Sequence, residues 1–93
     1  MSGSARPPEP SLIEYPSAFP IKVMGAHVEG FTEAIVAVAR HFDAGFDAAT
    51  VESRPSKAGN YLGLTITVTA TSRAQLDELY RTLSTHPMVR FVL

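Results

Sequence analysis

Hydrophobic and polar positions alternate along this chain with two periods, two residues and about 3.6 residues, and the switches between them delimit six elements. From Phe19, the apolar Phe19, Ile21 and Val23 alternate with Pro20, Lys22 and Met24, the pattern of a half-buried strand that Gly25 ends. Between Glu29 and Phe42 the residues Phe31, Ile35, Val38 and Phe42 recur at spacings of four, three and four, which predicts an amphipathic helix. Glu29 and Glu33 in its first turns and Arg40 and His41 in its last suit the helix dipole, and Gly45 is placed to cap it. Residues 47–54 alternate more weakly, Ala49 and Val51 inward against Thr50, Glu52 and Arg54 outward, with Pro55 closing an edge strand.

Ser56-Lys57-Ala58-Gly59-Asn60 is turn-forming, and beyond it Leu62, Leu64, Ile66, Val68 and Ala70 alternate without a break against Tyr61, Gly63, Thr65, Thr67 and Thr69. That is the clearest strand of the chain. Ser72 followed by Gln75 forms a capping box that opens a second helix, with Leu76, Leu79, Tyr80 and Leu83 on its buried face. Asp77 stands four residues from both Arg73 and Arg81, and Pro87 stops the helix after His86. Val89, Phe91 and Leu93 then alternate with Arg90 and Val92 as a last strand.

The order strand, helix, strand, strand, helix, strand, with right-handed crossovers and a hairpin between the middle strands, predicts an α+β fold of ferredoxin-like βαββαβ type. Its four-stranded antiparallel sheet carries both helices on one face. Alternation turns Phe19, Ile21, Val23, Leu62, Leu64, Ile66, Val68, Val89 and Phe91 toward the helices. Lys22, Met24, Tyr61, Thr65, Thr67, Thr69 and Arg90 fall on the opposite, open face. Residues 1–14, rich in Ser, Gly and Pro, offer too little apolar surface to order themselves and predict a disordered tail before a single domain at 15–93. Pro16 holds Tyr15 extended as a lead-in to the first strand.

Composition narrows function mainly by exclusion. Ninety-three residues make one domain, and 45% apolar and 18% charged residues with a net charge of −1 describe an ordinary globular chain. With no cysteine there is no disulfide, thiolate nucleophile or Cys-ligated metal, which fits a reducing cytoplasm. The apolar runs fall far short of the ~18 residues of a membrane-spanning helix, and the N-terminus has no run of signal-peptide length. His27, His41 and His86 lack the spacing of a metal site, the glycines are scattered singly without a nucleotide fingerprint, and the carboxylate pairs fall on exposed helix surface. No catalytic residue, metal or cofactor is therefore assigned.

Three places remain as candidate sites. Backbone amides of a Gly-containing turn beside a lysine can hold an anion, which singles out Lys57, Gly59 and Asn60. Gly25 and His27, leading into the first helix, could bring the free amides of a helix start to a small carboxylate or phosphate. The third is the open face, where Lys22, Arg90 and Tyr61 would allow base stacking, although one aromatic and a negative net charge argue against nucleic acid. A threonine-rich face suits packing against a protein partner or a second copy.

Tyr15-Pro16, Phe19, Ile21-Lys22-Val23-Met24-Gly25, Gly59-Asn60-Tyr61 and the closing Val89-Arg90 to Val92-Leu93 together resemble the YbeD-like family of small bacterial proteins, over roughly residues 15–93. Some members of that family carry a lysine directly before the loop glycine, where this chain has Ala58 and places Lys57 one position earlier. The resemblance implies a fold similar to ACT-type regulatory domains, which bind small effectors or associate through their sheets. It also implies a cytoplasmic regulatory or adaptor role with genetic proximity to lipoate-attachment enzymes. The function expected is accordingly a non-enzymatic module that senses a small metabolite or docks on a partner enzyme. The alternatives are an RNA-binding module or an enzyme of unrecognised type.

Overall fold

The two longest alternating segments, one opening the pattern and one near its middle, meet at the centre of the sheet. The computed structural model describes residues 14–93, so the expected tail lies, except for Glu14, outside the described residues. Strand β1 (Ser17–Ala26) pairs antiparallel along its full length with β3 (Tyr61–Ala70). Two short strands flank this pair, β2 (Glu52–Pro55) beside β3 and β4 (Val89–Val92) beside β1, giving the sheet order β2-β3-β1-β4. Helices α1 (Phe31–Phe42) and α2 (Arg73–Ser84) provide the two crossovers and cover one face, the expected βαββαβ architecture.

The core follows the alternation. Ile21, Val23, Leu64, Ile66 and Val68 from the sheet meet Phe31, Ile35, Leu79 and Leu83 from the helices, all at 1% exposure or less. Burying each such side chain is worth about 1.5–3 kcal/mol, which is why the two central strands hold their register so firmly. On α1 the deepest residues are Phe31, Ile35 and Ala39, with Val38 and Phe42 half-buried at the edge of the stripe. Tyr80 is also half-buried, and burial pushes its phenol above the ordinary tyrosine value.

Helix ends are fixed by side chains near the sheet. Ser72 Oγ accepts the Gln75 amide, the expected cap, while Gln75 Oε1 accepts the Thr71 amide at 2.8 Å and its Nε2 donates to Phe42 O at 2.9 Å and Thr69 O at 3.3 Å. One amide side chain thus joins the end of α1, the end of β3 and the start of α2. Asp43, and not Gly45, caps α1; its carboxylate accepts the Gly45 amide at 3.1 Å and the Thr69 amide at 2.9 Å. Asp77 pairs with Arg73 at 3.4 Å, but Arg81 pairs with Glu78 at 2.9 Å and not with Asp77.

Four further expectations need correction. Gly25 does not end β1, which continues to Ala26, and Glu29 lies in the turn before α1 and not within it. Residues 48–50 form a turn of 3₁₀ helix instead of a strand, because Asp47 accepts the Ala49 amide and captures the segment locally. The strand that follows is short and exposed, and it contains Pro55. Phe91 is not in the core: a register shift opposite Met24 and Gly25 inserts Arg90 as an extra residue, so that Val92 pairs with Val23 on the buried side and Phe91 with Met24 on the open side.

Candidate interaction surface

The hairpin loop and the end of β1, two separate candidates in the sequence, come together in space. The His27 amide donates to Asn60 O at 2.9 Å, and His27 Nδ1 lies 3.1 Å from Gly59 O. Ser56 closes the hairpin, its hydroxyl accepting the Tyr61 amide and its own amide donating to Tyr61 O, while the Gly59 amide donates to Ser56 O. Gly59 takes φ +82°, a conformation natural to glycine. The amides of His27 and Gly59 are thus engaged within the chain. Lys57 stands exposed on the loop, and α1 begins at Phe31, four residues beyond His27.

Gly25 has a packing reason. A Cβ built there would lie 2.4 Å from Met88 O and 2.5 Å from the Phe31 ring, so the residue is glycine because β4 and α1 close over it.

The open face is more fully built. Strand pairing sets Lys22 beside Thr65, Met24 beside Gly63, Ala26 beside Tyr61, Pro20 beside Thr67 and Ala18 beside Thr69, and the exposed Arg90 guanidinium lies 5.5 Å from the Tyr61 ring centroid. All seven expected face residues therefore share one side of the sheet. Four others join them, of which the alternation turns only Glu52 and Arg54 outward. The β2 pairing brings Glu52 next to Thr65 and Arg54 next to Gly63, and the bulge brings Phe91 next to Met24. Leu93 exchanges backbone hydrogen bonds with Lys22, extending the row by one more residue. Only the bulge, which four residues of alternation cannot reveal, would have placed Phe91.

A shallow groove of about 450 Å³ runs across this face between two rows, Glu52-Thr65-Lys22-Leu93 and Arg54-Gly63-Met24-Phe91. Its floor exists because Gly63 has no side chain; the Met24 terminal methyl rests 3.4 Å from where a Cβ would stand. Phe91 is 50% and Leu93 71% exposed, and with Tyr61 they are three of the four large apolar side chains exposed among the described residues. Exposed aromatic and aliphatic groups gathered on one face, rimmed by charge, are what a docking surface presents. Among the described residues no group of three or more His, Asp or Glu is close enough to hold a metal ion. No described helix is long and apolar enough to cross a membrane.

Fold and site together define a small ferredoxin-like α+β domain with a helix-covered face and a grooved open one. The model of a family described as a protein of unknown function, DUF493, matches residues 10–93, and the chain belongs to that family, the YbeD-like or UPF0250 proteins. A UPF0250 protein of Leptothrix cholodnii is 76% identical over 87 residues, covering 94% of this chain and 96% of the relative. One from Bordetella pertussis is 66% identical with the same coverage, and one from Ralstonia nicotianae is 60% identical over 96% of this chain and 92% of its own. The solution structure of protein HP0495 from H. pylori superposes with a TM-score of 0.74 at 15% identity, covering 95% of this chain and 94% of that one. That likeness establishes the shared fold.

Proposed function

We propose that this chain is a non-enzymatic, regulatory protein-interaction module of ACT-like type, whose working surface is the groove on the open face of its sheet. The observation that carries the reading is the row Arg54-Gly63-Met24-Phe91. A missing side chain, an adaptable thioether and a half-exposed ring make a receptive apolar floor, with a guanidinium at its end. Metabolite sensing at the loop cluster has less support, because the His27 and Gly59 amides that would hold an anion already donate within the chain. The family resemblance makes lipoate-attachment enzymes the first partners to test.

A photo-crosslinking amino acid at Thr67, on the open face, tests the reading against the same group at Ala37 on α1. Adducts formed in native extract from position 67 alone, and lost on Met24→Asp, are expected. Equal adducts from both positions, or none from the sheet, would overturn it.

One observation favours RNA binding as a second reading. Phe91 gives the face a second aromatic ring, near three cations, Lys22, Arg54 and Arg90. Against it, Arg90 already stands over the Tyr61 ring and Glu52 lines the groove. Binding of single-stranded RNA that weakens steeply with added salt would favour this reading instead.

A further inference from the structure

The two rows that wall the groove are complementary to each other, and this identifies an occupant. Glu52 and Arg54 lie two residues apart on β2, both exposed on the open face, and neither is in an ion pair among the described residues. At the opposite edge, Leu93 and Phe91 lie two residues apart on or next to β4, both apolar and both exposed. Between them Thr65 and Lys22 occupy one row, Gly63 and Met24 the other.

Consider a second copy turned by a two-fold axis that lies in the plane of the face, runs between the two rows and is perpendicular to the strands. That operation lays each row on the other. Glu52 of one copy meets Arg54 of its mate, and Leu93 meets Phe91. The Thr65 side chain meets the space left open at Gly63, and the Met24 thioether meets the aliphatic stem of Lys22. Each contact occurs twice, as an isologous interface requires. The other simple choice, an axis parallel to the strands, would press the Glu52 carboxylate onto Leu93 and leave a desolvated charge unpaired, so it is disfavoured. Two sheets packed by the first operation have nearly aligned strands, one of the two stable arrangements for stacked sheets.

Resting on the reading of the open face as an interaction surface, we infer that its occupant is a second copy of this chain, joined across this axis with reciprocal Glu52–Arg54 pairs. The pairing makes a specific demand on charge. Glu52→Arg alone sets two arginines face to face, Arg54→Glu alone sets two glutamates face to face, and the double exchange restores opposite charges in both pairs.

Sedimentation equilibrium over a concentration series reads the outcome directly. The wild-type chain should be a dimer, each single variant should dissociate at least about tenfold more readily, and the double variant should return to near wild-type affinity. All three should melt as the wild type does when extrapolated to low concentration, since both positions are exposed on an edge strand. A monomeric wild type, or a double variant no tighter than the singles, overturns the inference. The crosslink at Thr67 separates the two levels: adducts to a different protein from a monomeric chain would leave the interaction surface standing and reject self-association. Absence of any adduct would reject both.

Discussion

Gly25→Ala adds a single methyl group at the most confined point of the fold. Its Cβ would stand 2.4 Å from Met88 O and 2.5 Å from Phe31 Cε1 and Cζ. Ordinary contacts between such atoms are about 3.5–4.0 Å, so about 1 Å of separation must be found on two sides at once. Neither side yields easily: Met88 O is backbone immediately before β4, and the Phe31 ring is fully buried in the first turn of α1. The cost should therefore reach or exceed the upper end of the usual overpacking range, about 3 kcal/mol. For a domain of this size that corresponds to a fall in melting temperature of about 12–24 °C. Urea unfolding should show a lower midpoint with an unchanged slope. Gly63→Ala is the control, since its Cβ would meet the flexible end of Met24 at 3.4 Å and Arg54 O at 3.6 Å, and it should stay within about 0.5 kcal/mol of wild type. Phe31→Leu withdraws the ring edge, so the Gly25→Ala/Phe31→Leu double variant should be more stable than the sum of the singles by about 1 kcal/mol or more. A Gly25→Ala protein as stable as wild type, or strict additivity with Phe31→Leu, would refute the packing account.

Phe91→Ala should cost about 1 kcal/mol or less, because its side chain is half exposed, whereas Phe31→Ala should cost about 3–5 kcal/mol; equal losses in urea unfolding would return Phe91 to the core. Gln75→Glu keeps the acceptor that a capping box needs but turns a carboxylate toward Phe42 O and Thr69 O, so thermal melts should show it less stable than Gln75→Ala, by about 1 kcal/mol. Burial raises the Tyr80 pKa in the folded state, so the unfolded chain releases that proton first. Stability should fall as pH rises above about 10, and Tyr80→Phe should flatten that fall in urea titrations.

Element order and the two central strands were legible in the sequence because a one-residue slip in β1 or β3 would move every apolar side chain to the wrong face. That constraint fixes the face each side chain takes across the ten-residue pairing of Ser17–Ala26 with Tyr61–Ala70, while the choice among registers two residues apart falls to the packing of the core. Segments too short to carry a period were not legible. Residues 47–50 look like a strand when read by hydropathy, but the Asp47 carboxylate offers the backbone a closer partner than a neighbouring strand does. Phe46, 5% exposed, sits in the loop between α1 and the 3₁₀ turn, where no periodicity points to it. In the sequence Gly25 looks like a strand terminator, but the reason for the glycine lies in Phe31 and Met88, six and sixty-three residues away.

The candidate surface was half legible for the same reason. Face residues on β1 and β3 inherit their side from long alternation, and all of those expected are found there. Residues contributed by β2 and β4 depend on pairing that each strand, four residues long, cannot specify by its own pattern. In β4 the inserted Arg90 changes the outcome altogether: without it Phe91 would continue the inward series begun by Val89 and be covered by helices. With it, Val92 fills the buried place opposite Val23, and the ring is delivered to the groove opposite Met24 while Arg90 reaches over Tyr61. A single extra residue thus moves an aromatic side chain from the core, where it would only add stability, to the open face, where it can be bound. Because Val92 takes the buried place, the bulge exchanges a phenylalanine for a smaller apolar side chain in the core, so a face with no use for that ring would gain apolar burial by losing the extra residue.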